Sequence, residues 1–183
     1  KSQDLNVKYE AAIKYYEAKI NIDPKFEPAY RNIAFVYIRI EKWDNARMAF
    51  LKAKELVDTT FATNYWLAQT YNQMDSTQQA SDQYIKILKL SEGKERQYKD
   101  EIYGANFFLG RNAYDKQNYN AALPYLKKIL QFKSGDVGTT EMIAICYHQL
   151  QNYDEAIRWY KAVLKLNSKS EIAKKGLRML SAD

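Results

Sequence analysis

One histidine and one cysteine are the obvious chemical candidates in this 183-residue chain, and they fall two residues apart, at His148 and Cys146. Residues two apart on a helix do not face each other, so the two cannot work as a local nucleophile and base. With no further His or Cys, a zinc site of the usual nitrogen and sulfur ligands is not expected, nor any other metal or cofactor site. A lone cysteine forms no internal disulfide; Cys146 reads as a small buried core residue. No G-x-x-x-x-G-K-S/T or G-x-G-x-x-G stretch is present to cradle a phosphate. The carboxylates that recur in phase, such as Asp44 and Asp154, read as helix-front residues favoured by the dipole. No enzymatic activity is expected.

Charge and aromatic content suggest a second kind of chemistry. The chain carries a net charge of +6, and residues 161–183 alone hold Lys161, Lys165, Lys169, Lys174, Lys175 and Arg178 against Glu171 and Asp183. A basic helical tail of this kind can touch nucleic acid or an anionic surface. The 16 tyrosines could stack on bases in a basic groove. The plainer reading of the tail is a solvated end cap, and most of the tyrosines fall at positions that read as core.

Those positions are set by a repeat. Ala34, Ala68, Gly110 and Ala144 each precede a second small residue by twelve: Ala46, Ala80, Ala122 and Ala156. Four residues after each come Phe50, Tyr84, Leu126 and Tyr160, and three further on Ala53, Ile87, Ile129 and Val163. The spacing from Ala46 to Ala80, and from Ala122 to Ala156, is 34 residues. A fixed period of this size marks a stack of units that cover one another's apolar faces. Tyr30, Ile33, Ala34, Tyr37 and Ile40 lie on one helical stripe. Only 6 Gly and 3 Pro interrupt the chain. No apolar run is long enough to span a membrane.

The pattern resembles the tetratricopeptide repeat, a helix–turn–helix unit read as W-x2-L-G-x2-Y, then A-x3-F, then P. Tyr30-x2-Ile33-Ala34-x2-Tyr37 with Ala46-x3-Phe50 is the best match, with Asp58 where proline is usual. The resemblance implies an all-α, right-handed α-solenoid of antiparallel helix pairs forming a single array over 1–183. Its parts are a partial unit (1–26, with Pro24 at the proline position), units at 27–60, 61–94, 95–136 and 137–170, and a capping helix at 171–183. The third unit carries eight extra residues, Glu95 to Ile102, expected to add about two turns to its first helix. Helix starts are expected at a Ser76/Gln79 capping box, a similar Asn152/Glu155 pair and an Asn118 cap, with Lys42 unable to cap. Pro124 should fall about a turn inside its helix.

The resemblance also implies a function, a scaffold or adaptor that holds a protein or peptide segment along the first helices of its units. The positions that would face such a ligand include Arg31, Phe35 and Arg39; Tyr65, Trp66, Gln69 and Asn72; Phe107, Arg111 and Tyr114; and Glu141 and His148. Arg31, Arg39 and Arg111 against Asp115 and Glu141 suggest a mild preference for acidic peptides. The carboxylate clamp of one chaperone-binding subfamily does not map, because its Lys and Asn positions fall on Arg31 and Phe35, or on Tyr65 and Gln69. Alternatives are nucleic-acid or anionic-surface binding through the basic tail, a module of a bacterial envelope assembly or lipoprotein factor, and self-association through an exposed repeat face. The chain opens at Lys1 without Met, and a trimmed N-terminus is expected; the compartment, cytoplasmic or periplasmic, stays open.

Overall fold

The computed structural model describes residues 2–57 and 61–181; Asp58 lies outside the described residues. Among these, ten helices and no strand are found. They are α1 (Ser2–Ile22), α2 (Glu27–Arg39), α3 (Trp43–Leu56), α4 (Phe61–Gln73), α5 (Thr77–Leu90), α6 (Lys99–Asp115), α7 (Tyr119–Phe132), α8 (Val137–Gln149), α9 (Tyr153–Leu166) and α10 (Glu171–Leu180). The chain divides into two compact units, Lys1–Glu92 with α1–α5 and Gly93–Asp183 with α6–α10.

Small residues let the helices of each pair approach. Ala34, Ala46, Ala68 and Ala80 in the first unit, and Ala122, Ala144 and Ala156 in the second, are fully buried. Phe50 and Leu67 fill the space around them in the first unit, and Leu126, Ile129 and Ile143 in the second. Gly110 holds the same place in the seam between α6 and α7, where a side chain would be crowded. A Cβ there would lie 3.0 Å from Leu126 Cδ2 and 3.2 Å from Tyr125 Cβ. In α1 the matching Ala12 and Tyr16 are only half-buried. The turn after it is tied down by the Tyr30 hydroxyl, which donates to the Pro24 carbonyl at 3.2 Å.

Four hairpin turns share one geometry that no glycine announces. Glu41, Asp75, Gln117 and Gln151 all sit in the left-handed region, with φ between 53 and 58°. In each turn the next residue's N–H bonds back to a carbonyl five positions earlier: Lys42 to Tyr37, Ser76 to Tyr71, Asn118 to Ala113 and Asn152 to Tyr147, all at 2.9 Å. The left-handed residue's own N–H bonds three positions back, as Glu41 does to Ile38. This double closure is the Schellman motif, which usually takes glycine at that place. A non-glycine residue there pays a steric penalty. Glu41→Gly and Gln117→Gly are therefore each expected to stabilise the chain by about 0.5–1 kcal/mol, after the entropy glycine adds to the unfolded chain. Thermal melts would show it; an unchanged or lower midpoint would mean the side chains compensate the strain.

Capping follows side-chain length. Asn118 and Asn152 accept from the N–H groups of Ala121 (3.2 Å) and Glu155 (3.4 Å). Ser76 has nearly the same backbone as they do but makes no cap bond, and its hydroxyl turns to the Met74 carbonyl. The Ser76/Gln79 box therefore does not form: from this backbone an Asn side chain reaches and the shorter Ser does not. Only half of the Asn152/Glu155 pair forms, because the Glu155 carboxylate bonds Arg158 and the Trp159 indole instead. Lys42 makes no side-chain cap. Asp136 and Ser170, unread in the sequence, cap α8 and α10. Burial alone would raise the Asp136 carboxyl, but hydrogen bonds from Thr139 and Lys133 outweigh it and hold it below the usual carboxylate range.

The eight extra residues split. Glu95–Tyr98 forms turns, and only Lys99–Ile102 joins α6, which at 17 residues is one turn longer than the 13 of α2, α4 and α8. Glu95, Arg96 and Gln97 offer nothing apolar to bury, and Gly93, at φ 75°, turns the chain just before them. Pro124 lies inside α7 on an exposed position, slightly deeper than one turn. Lacking an N–H, it leaves the Asn120 carbonyl to solvent.

Candidate functional site

In the first unit, α2 and α4 together present a line of aromatic rings. Phe35 on α2 packs edge-on against the buried Phe50 (5.5 Å between centroids) and against Trp66 of α4 (5.3 Å). Trp66 meets Tyr65 at 5.7 Å, and Tyr65 meets the buried Tyr84 at 6.3 Å, all edge-to-face. The line is anchored at both ends in the core and stays open in the middle, where Trp66 is 37% exposed. Gln69, one turn beyond Tyr65, donates to its hydroxyl at 3.0 Å. Arg39 and Asn72 are exposed on the same two helices. Arg31 lies 3.5 Å from the buried carboxylate of Glu27, so its charge is partly answered within the helix.

The second unit carries its candidates on α6 and α8. Phe107, exposed, stacks on Tyr103 at 6.3 Å; Tyr103 was not read from the sequence, although spacing of four on one helix signals such a pair. Arg111 Nε reaches both carboxylate oxygens of Asp115 at 2.9 and 3.0 Å. Tyr114 turns its ring edge-on to Tyr119. Burial, chiefly, raises the Tyr114 hydroxyl above the ordinary tyrosine value.

Glu141 accepts from the Ser170 hydroxyl at 2.6 Å, and Ser170 in turn caps α10. His148 Nδ1 is 3.1 Å from the Tyr160 hydroxyl, with the rings edge-to-face. Burial pushes Tyr160 up to about 12, so it stays protonated at neutral pH. Glu141 and His148 are thus tied to neighbouring helices of their own unit.

Burial pushes the Cys146 thiol up to about 12, which leaves it without useful thiolate at neutral pH. Among the described residues, no group of three or more His, Cys, Asp or Glu side chains could hold a metal ion. No helix among them is long and apolar enough to cross a membrane.

Comparison with known proteins agrees with this architecture. A family model described as tetratricopeptide repeat matches residues 113–178. No curated protein matches the chain in sequence. Among solved structures, YrrB, described as a TPR protein with an unusual peptide-binding site, is similar over 93% of this chain and 84% of its own, with TM-score 0.70 and 16% identity. A MamA structure is similar over 92% and 87%, with TM-score 0.67 and 20% identity. A tetratricopeptide repeat protein from Parabacteroides merdae ATCC 43184 is similar over 98% of this chain and 69% of its own, at 0.63 and 20%. The fold is the all-α tetratricopeptide solenoid, and within it residues 113–178 match the tetratricopeptide-repeat family model. Proteins of this fold generally mediate protein–protein interactions and are generally not catalysts.

Proposed function

We propose that this chain is a protein-binding scaffold that holds a segment of its partner on its first helices, and that Phe35, Trp66 and Tyr65 are the main anchors in the first unit. The observation that carries this reading is the aromatic line itself: large rings fixed by core contacts yet left open to solvent at Trp66. Rigid aromatics of this kind supply much of the binding energy in protein interfaces. The pairing of Arg31 with Glu27 and of Arg111 with Asp115 argues for a ligand chosen by apolar side chains more than by acidic ones. Peptides selected on the wild-type chain from a displayed random library provide the test. Trp66→Ala is expected to weaken the selected binders at least about tenfold while circular dichroism stays unchanged. Equal affinity for the variant would remove the anchor assignment.

A further inference from the structure

Adding 110 to each residue number, as from Ala46 to Ala156, carries α2 and α3 onto α8 and α9 with identical bounds. The same shift lays Ala12 and Tyr16 of α1 on Ala122 and Leu126 of α7. Each trio is one first helix flanked by two second helices, and the two trios fill the furrow between those second helices differently. In α7–α9, Trp159 packs with Leu130 and Tyr147 on the buried cluster that includes Leu126 and Ile143. Its indole N–H donates to Glu155 at 3.2 Å, and Lys127 lies over the Tyr147 ring at 5.1 Å.

In α1–α3 the place of Trp159 belongs to Ala49. The rest of the apolar frame is kept in kind, with Ile20 for Leu130, Ile33 for Ile143 and Tyr37 for Tyr147. What results is an open hollow of about 630 Å3, walled by Ile20, Met48 and Leu51 over Ile33, Tyr37 and Ala49. Met48 is 64% exposed at its edge. Asn45 stands where Glu155 accepts the indole. The rim charge is reversed: Glu17 replaces Lys127 and Glu55 replaces Lys165, with Lys52 bonded to Glu55 at 2.8 Å.

We infer that this furrow docks a tryptophan side chain carried on a basic segment of a partner protein. The second unit shows what the frame accepts when its filler is internal. The first unit lacks that filler, offers the Asn45 side-chain oxygen to an indole N–H, and places Glu17 at the entrance beside the Lys52–Glu55 pair, a net negative rim that favours cationic neighbours. The site lies on the second-helix face and does not depend on the Phe35–Trp66–Tyr65 line.

The test titrates the amidated peptide Lys-Arg-Trp-Arg-Lys into the wild-type chain, followed by calorimetry and by the Met48 methyl resonance. Binding should shift that resonance through the ring current. Replacing the peptide's Trp by Ala should weaken binding at least about tenfold. Ala49→Trp, which fills the hollow as Trp159 fills its counterpart, should weaken it as much without lowering the melting temperature. Glu17→Lys should weaken it at low salt, with the difference shrinking at high salt, and Trp66→Ala should leave it unchanged. The inference is overturned if the wild type fails to bind the peptide, if the Ala peptide binds equally well, or if Glu17→Lys has no effect. Sedimentation showing a wild-type dimer that Ala49→Trp dissociates would also overturn it, since the furrow would then hold a second copy.

Discussion

Phe50→Ala should remove about 3–5 kcal/mol of unfolding free energy. Phe50 is fully buried in the middle of α3, in the cluster with Ile33, Ala34, Ala49 and Leu67. The helices on either side, α2 and α4, are each joined to neighbours of their own and cannot close freely on the void. Truncation therefore loses both the transfer energy of the ring and the contacts of the cavity walls. Phe35 rests edge-on against Phe50, and Trp66 against Phe35. The variant should accordingly also alter Trp66 fluorescence in the folded state. Urea unfolding followed by circular dichroism checks the stability. A loss below about 1 kcal/mol would mean that this core is not closely packed.

Gly176→Ala should cost about 2 kcal/mol net. Helix propensity argues the other way, since alanine in an exposed helix interior gains about 1 kcal/mol over glycine. The sign is decided by Tyr160. A Cβ at residue 176 would lie 2.3 Å from its Cζ and 2.4 Å from its Cε2, well inside contact distance. The ring has little room to yield, being 3% exposed with its hydroxyl at His148. The least costly response is for α10 to lift from α8 and α9, so its amides should exchange faster in the variant. Tyr160→Leu, which copies Leu126 at the corresponding place, should recover part of the loss when combined with Gly176→Ala. A double variant no better than the sum of the singles would put the strain elsewhere.

The helices and their core were legible in the sequence because packing repeats. Ala46, Ala80, Ala122 and Ala156 stand at one point of the pattern, and all four are fully buried. What the pattern does not carry is how polar groups settle among themselves. Ser76 and Asn118 both look like caps and share nearly the same backbone angles, and only the longer reach of the Asn side chain separates them. Arg111 looks available to an acidic ligand until Asp115, four residues on, is seen to hold it; that spacing was in plain view. The contact of Glu141 with Ser170, 29 residues away, has no local signature. The substitution of Ala49 for Trp159 can be found by alignment of the units. The hollow it leaves depends on Met48 and Leu51 standing at its edge, which a periodic pattern does not specify.

The three-residue hairpin connections bear on how fast the molecule forms. Within each unit, the extensive helix contacts join sequence neighbours, apart from α8 with α10. Little chain must be searched before a helix meets the partner it will keep, and low contact order of this kind goes with rapid folding. Each unit can therefore assemble pair by pair as it leaves the ribosome, a finished hairpin serving as the template on which the next one of that unit settles.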